Sequence, residues 1–162
     1  MSTIAENIAN IRARMNEAAK KAGRDPSEIL LCAATKMNDA DRVKEAVAAG
    51  VDCCGENRVQ EIQAKRPLGA YTGKPLHFIG HLQTNKVKSI IGKVSMIHSL
   101  DSVRLAKAID SACVQAGRTV DVLIEINIAN EQAKSGIAAG DLFAFYEEIK
   151  SYSALQVRGL MT

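Results

Sequence analysis

The sequence predicts an α/β fold built on a parallel sheet, and three observations carry that prediction. Short unbroken apolar runs, the pattern of strands buried on both faces, alternate with segments whose apolar residues recur every three or four positions, the pattern of helices. The 162 residues suffice for one domain spanning positions 1–162. Apolar residues make up 47% and charged residues 24%, a globular balance that fits neither disordered nor membrane-spanning classes.

The first segment places Ile4, Ile8, Ile11, Met15 and Ala18 on one helical stripe, with Thr3 and Glu6 in capping-box register and Gly23 as the stop. Asp25-Pro26-Ser27 breaks the chain before the apolar run Ile29 to Ala34, a predicted strand. Asn38 or Asp39 caps the next helix, which buries Val43, Ala46 and Val47 and closes at Gly50. Val51 to Cys54 reads as strand and Val59 to Lys65 as helix. Leu76 to Ile79 is the next strand, followed by a helix over Asn85 to Ile91. Val94 to His98 is a strand, and Asp101 caps a helix through Val103, Leu105, Ala106 and Ile109 that stops near Gly117. Val120 to Ile126 is the most strand-like run. Asp141 then begins a helix through Leu142, Phe145 and Ile149, and Leu155 to Leu160 is a last strand. About six strands joined by helices fit either an open doubly wound sheet or part of a barrel of about eight such units. A strand at the C-terminal edge with no helix after it would leave an open parallel edge, so the chain is expected to be a fragment.

Several function classes lose support at this stage. The 21 basic and 18 acidic side chains leave +3, a weak field, and only 4% of residues are aromatic, so nucleic acid is not an expected partner. The N-terminus lacks a basic stretch followed by an apolar run, which predicts a cytoplasmic protein with no membrane partner. Cys32, Cys53, Cys54 and Cys113 show no C-x-x-C spacing and read as buried reduced thiols; with His77, His81 and His98 they form no metal-ligand spacing, so no metal is expected. No G-x-G-x-x-G follows the first strand, and neither a phosphate-binding P-loop nor G-x-S-x-G occurs.

In parallel α/β folds functional groups gather past the C-terminal ends of strands, and there this sequence is polar: Thr35-Lys36, Gly55-Glu56-Asn57-Arg58, Gly80-His81-Leu82-Gln83, Ser99, Asn127 and Gly159-Leu160-Met161-Thr162. Lys36 is either a solvated strand cap or an amine sheltered in a barrel mouth; shelter would lower its pKa and favour attack on an aldehyde. His81 reads as a loop residue bonded to backbone, or as a group that stacks on a ring or relays a proton. His77 and His98 read as strand residues of the core or a face. Glu56 and Glu61 read as a helix-dipole partner and a solvated helix face, with no second carboxylate placed for acid/base work.

Ala33-Ala34-Thr35-Lys36, Gly55-Glu56-Asn57-Arg58-Val59-Gln60-Glu61, His77-Phe78-Ile79-Gly80-His81-Leu82-Gln83-Thr84-Asn85-Lys86 and Gly159-Leu160-Met161 together resemble the YggS/PROSC pyridoxal phosphate homeostasis family. Asn127 and the later Glu131, Lys134, Ser135, Gly136 and Ile137 extend the resemblance, which runs the length of the chain. It implies a TIM-type (β/α)8 barrel similar to the N-terminal domain of alanine racemase, here incomplete, with about six strands and an extra N-terminal helix. It also implies pyridoxal 5'-phosphate (PLP) held as a Schiff base on Lys36, with Asn57, His81, Ser99, Asn127 and Met161 around the ring. The implied role is PLP homeostasis by a monomeric carrier without strong catalysis, whose partners are PLP and PLP-dependent apoenzymes. The alternatives are a racemase- or decarboxylase-like PLP enzyme and an α/β interaction module without a cofactor. Family members continue past this chain's C-terminus through a serine- and glycine-rich segment, so no residue here is assigned to the cofactor's phosphate.

Overall fold

The computed structural model describes residues 3–129 and 135–162, folded as two compact bodies: residues 3–56 with 60–76, and residues 57–59 with 77–129 and 135–162. Glu131 and Lys134 lie outside the described residues.

In the first body, helix α1 (Ile4–Lys21) starts with the predicted reciprocal cap. The Thr3 hydroxyl accepts the N–H of Glu6, and the Glu6 carboxylate accepts the N–H of Thr3. The buried face is turned from the predicted stripe: Ile4, Ile8 and Met15 are half-buried, Ile11 is 43% exposed, and Ala19 is buried in place of Ala18. Arg12 explains the turn. Its guanidinium pairs with the Asp52 carboxylate at 2.7 Å and donates to the Gly50 carbonyl at 3.0 Å, holding that helical position inward.

Asp25 caps a 3₁₀ turn over Pro26–Glu28, so strand β1 (Cys32–Ala34) begins three residues later than predicted. Leu30 remains 65% exposed, and the N–H of Leu31 goes to the Asp52 carboxylate at 2.6 Å. Helix α2 (Ala40–Ala48) is capped by Asp39, which accepts the N–H of Arg42, and buries Val43 and Ala46. β1 pairs in parallel with β2 (Cys53–Glu56), Cys32 opposite Cys53 and Ala34 opposite Gly55, and all four β2 residues are buried. Helix α3 (Val59–Lys65) follows within its predicted bounds.

In the second body, β3 (Leu76–Phe78) contributes His77 and Phe78 beside Met96 and Ile97 of β4 (Met96–Leu100). β4 pairs with β5 (Val120–Asn127); along most of its length β5 pairs with β7 (Leu155–Met161), and at its C-terminal end with β6 (Ile137–Ala138). These pairings are all parallel. Among the described residues the two-residue β6 makes seven strands where the sequence predicts about six; it is too short to show a periodicity. The predicted helix over Asn85 to Ile91 is a 3₁₀ turn (Thr84–Lys86) running into the short α4 (Val87–Ile90).

Helix α5 (Val103–Gln115) is capped by Ser102 and not by the predicted Asp101. Ser102 is extended, so its hydroxyl reaches the N–H of Leu105 at 3.3 Å, while Asp101 accepts from the Ser102 hydroxyl. α5 buries Leu105, Ala106, Ile109 and Cys113, and α6 (Leu142–Ile149) buries Phe145 and Ile149; the strands add Ile97, Leu100, Val122 and Ile124.

Two bulges interrupt this sheet. Between the pairs Ile97–Val122 and Leu100–Ile124, β4 carries one residue more than β5, which places the irregularity at His98 and Ser99. In β7, Val157 faces Val122 and Gly159 faces Leu123, which leaves Arg158 as the extra residue; its Nε bonds Asp121 at 2.9 Å. Gly159 has φ +155, a conformation glycine adopts at little cost.

Candidate functional site

β1 ends at Ala34, and the two residues beyond it are treated differently. Thr35 is buried and Lys36 is exposed. The sheltered amine considered from sequence is therefore not what this body shows: the Lys36 side chain lies open, while the backbone on both sides of it is held. Thr35 N–H donates to the Gly55 carbonyl, and its carbonyl accepts from Lys65 Nζ at 2.9 Å. Met37 N–H donates to Glu61 Oε2 at 2.8 Å. Met37 has φ +61, the one non-glycine residue in the left-handed region among the described residues.

The groups holding this backbone form a buried ionic cluster, which corrects the reading of Glu56 and Glu61 as dipole partner and solvated face. Glu56 is fully buried. Its Oε1 accepts from Thr35 Oγ1 at 2.7 Å, Lys65 Nζ at 2.8 Å and Tyr71 OH at 2.9 Å, while Oε2 is buried with no hydrogen-bond partner. Lys65 Nζ also reaches Glu61 Oε2 at 2.7 Å, so its three protons are all engaged. Burial works against charge on Lys65, but its bonds to Glu56 and Glu61 outweigh that and raise its pKa. For Glu61 burial is likewise outweighed, by Lys65 and the Met37 N–H, and its pKa falls. Burial first, and then the Glu56 charge, push the Tyr71 phenol up. The signal that could have found the cluster is the Glu61–Lys65 spacing of four on a short helix, with polar residues ending the two preceding apolar runs.

The cysteines are free, as expected, with Cys53, Cys54 and Cys113 buried and Cys32 half-buried. A hydrogen bond from Cys53 draws the Cys32 thiol down, and burial pushes Cys54 up to about 11.

The other five sequence candidates lie in the second body. Asn57 and the His81 turn are brought together through Gly80, where an added Cβ would stand 2.5 Å from the Asn57 carbonyl oxygen; only glycine permits that approach. Asn57 Oδ1 is buried without a hydrogen-bond partner. His81 is exposed, and its Nδ1 lies 3.4 Å from Asp101 Oδ2, so its neighbour is a carboxylate and not the backbone. His81 and Asp101 line one side of an open cleft of about 510 Å³ with Thr84 and Arg104.

Ser99 sits at the β4 bulge, 1% exposed, with its Oγ buried and unpartnered. Asn127 closes β5 next to Gly136, where a Cβ would meet the Asn127 nitrogen at 2.8 Å. Met161 faces Glu125 across the β5–β7 pairing. Asn127, Glu125, Ser135 and Thr162 border a second cleft of about 540 Å³, and Ser135 Oγ donates to Glu125 Oε1 at 2.7 Å. Ser99, Asn127 and Met161 thus stand toward the C-terminal ends of adjacent parallel strands, as the sequence predicts. His77 Nδ1 and His98 Nε2 share a hydrogen bond at 3.0 Å between β3 and β4; burial, and then His77, lower the His98 pKa to about 4.

Parallel strands joined by helices, with polar groups gathered past their C-terminal ends, define the class: this is a domain of the alanine racemase N-terminal type, and the model of that family matches residues 2–162. The relatives narrow the assignment. A pyridoxal phosphate homeostasis protein of Pseudomonas aeruginosa is 40% identical over 161 residues, covering 99% of this chain and 70% of its own length. A crystal structure from Bifidobacterium adolescentis superposes with a TM-score of 0.91 at 34% identity, covering 98% of this chain and 68% of that one. PipY of Synechococcus elongatus, solved with PLP bound, superposes with a TM-score of 0.81 at 31% identity, covering 98% of this chain and 69% of that one. The chain belongs to the pyridoxal phosphate homeostasis protein family.

Proposed function

We propose that this protein binds PLP through Lys36 and acts in handling the cofactor, holding it and passing it to PLP-dependent apoenzymes in the cytoplasm, without turning over a substrate of its own. The observation that carries the reading is an exposed lysine directly past the first parallel strand, in a chain that matches a PLP-bound relative over 98% of its length. When bound, PLP supplies an aldehyde that condenses reversibly with an amine and a ring that withdraws electrons.

The residues present suit such a ligand. Ser99 Oγ and Asn57 Oδ1 are buried polar atoms without protein partners, a costly state unless a ligand or water completes them. Asn57, His81, Ser99, Asn127 and Met161 are assigned to the ring's surroundings by strand-end position and by the family pattern. The carrier reading is supported over a racemase by relatives named as pyridoxal phosphate homeostasis proteins. His81, the one histidine past a strand end, is open to solvent and turned toward Asp101. No helix is long and apolar enough to cross a membrane among the described residues.

The test is borohydride reduction of the PLP-loaded protein followed by peptide mapping. One reduced adduct, on Lys36, is expected; an adduct on another lysine, or none, rejects the assignment. Incubation with α-deuterated amino acids separates carrier from enzyme, since deuterium loss at enzyme-like turnover would overturn the carrier reading.

A further inference from the structure

The Glu56–Lys65–Glu61 cluster grips the chain on both sides of Lys36. We propose that Glu61 and Lys65 are positioning residues for the Lys36 amine: together they hold the peptide groups before and after it in the one conformation from which the side chain meets the cofactor. The inference rests on the reading that Lys36 is the PLP amine.

The geometry is specific. Lys65 Nζ binds the Thr35 carbonyl at 2.9 Å, Glu61 Oε2 binds the Met37 N–H at 2.8 Å, and the two side chains bind each other at 2.7 Å one helical turn apart on α3. Lys36 is thus the single residue between two clamped neighbours. Glu56 completes the arrangement from β2, orienting Lys65 and taking the Thr35 hydroxyl. The clamp opposes a preference of the chain itself. Met37 is 87% exposed, so side-chain packing does not hold it at φ +61, a region that L residues other than Asn and Asp rarely occupy. Asn38 shares in holding the turn, its N–H donating to the Thr35 carbonyl at 3.3 Å and its Nδ2 to the Lys36 carbonyl at 3.0 Å; Glu61 alone holds the Met37 N–H, and losing that bond loosens the peptide joining Met37 to Lys36. Pre-forming this turn in the free protein removes an ordering cost from the binding step.

Four proteins test this: wild type, Glu61→Ala, Glu61→Gln and the double variant Glu61→Ala/Met37→Gly. Each is checked for folding by circular dichroism, then measured for PLP affinity and, without PLP, for exchange of the Met37 amide hydrogen. Glu61→Ala should weaken PLP by about ten-fold and speed Met37 exchange, while the reduced adduct still maps to Lys36. Glu61→Gln keeps an acceptor for the Met37 N–H and should fall between. Glycine adopts φ +61 freely, so the double variant should recover affinity relative to Glu61→Ala. Equal PLP affinity and equal Met37 exchange in wild type and the folded glutamate variants overturn the clamp. Should Glu61→Ala fail to fold, the single Glu61→Gln and Met37→Gly variants decide: the clamp predicts weaker binding in the first and a smaller effect of Glu61→Gln when Met37→Gly is present. Wild type with no adduct on Lys36 rejects the PLP reading itself. Faster Met37 exchange in the glutamate variants would then show a purely structural clamp, and the positioning role would fall.

Discussion

Around Lys36, Lys65 has all three of its protons engaged, and Thr35, Glu61 and Tyr71 each bond within the same cluster. In the second body, Ser99 Oγ and Asn57 Oδ1 are buried but have no hydrogen-bond partner. The contrast teaches a division of labour. One body uses buried polar groups to fix its own backbone, so removing one partner from its cluster is costly. The other leaves Ser99 Oγ and Asn57 Oδ1 without a protein partner, at a cost in desolvation. Glu56 Oε2, also unpartnered, marks where the first body's own satisfaction stops.

The largest effect should come from breaking the closed cluster. Lys65→Met removes the cation from a fully buried Glu56 and from Glu61, and should cost about 3–5 kcal/mol in urea denaturation, because two carboxylates, one of them fully buried, are left without it. A loss under about 1 kcal/mol, the value of an exposed pair, would dissolve the contrast between the bodies. Gly80→Ala comes next. Its Cβ would stand 2.5 Å from a backbone oxygen that cannot swing aside, so a loss toward the upper end of about 1–3 kcal/mol is expected.

A third effect depends on pH. The His98 pKa falls from 6.5 to about 4 on folding, so between those values the unfolded chain takes up a proton that the folded protein refuses. Stability contributed by the neutral ring is therefore present in full above 6.5, declines as pH falls through the window, and levels off below about 4. The half-buried setting limits this to the order of 2 kcal/mol. Denaturation at the two ends of the window should show a smaller decline in His98→Leu than in wild type; an equal decline would place the proton uptake elsewhere.

The sequence made the parallel α/β plan legible because buried strands and amphipathic helices leave different periods, and Val59 to Lys65 or Val120 to Ile126 show them plainly. Strand-end placement of Ser99, Asn127 and Met161 was legible for the same reason: a parallel strand has one functional end. Arg12 drawing α1 inward was not, because a salt bridge to Asp52, forty residues later, leaves no periodic trace. The bulge at Ser99 was hidden too, since one unpaired residue does not alter an apolar run. Glu56 was misread because a carboxylate after a strand looks the same whether solvated or buried; only Tyr71, Lys65 and Thr35 closing on it make the difference.

The smallest effect is the most discriminating, because it sets two buried hydroxyls against each other. Thr35 Oγ1 donates to Glu56 and lies 3.1 Å from the Gly55 carbonyl, whereas Ser99 Oγ has no partner. Removing a satisfied hydroxyl strands its acceptors, so Thr35→Val should destabilise by about 1–3 kcal/mol. Removing an unsatisfied one strands nothing, so Ser99→Ala should leave stability unchanged or slightly raised. For PLP affinity the Ser99 hydroxyl matters if it finds its partner only in the complex. Ser99→Ala should then weaken binding by roughly ten-fold, the value of one hydrogen bond of about 1–1.5 kcal/mol. Titration of both variants with PLP, beside urea denaturation of each, separates the two roles. A Ser99→Ala protein that is less stable and binds PLP as wild type does would show its hydroxyl to be structural, and the second body would then be no more open than the first.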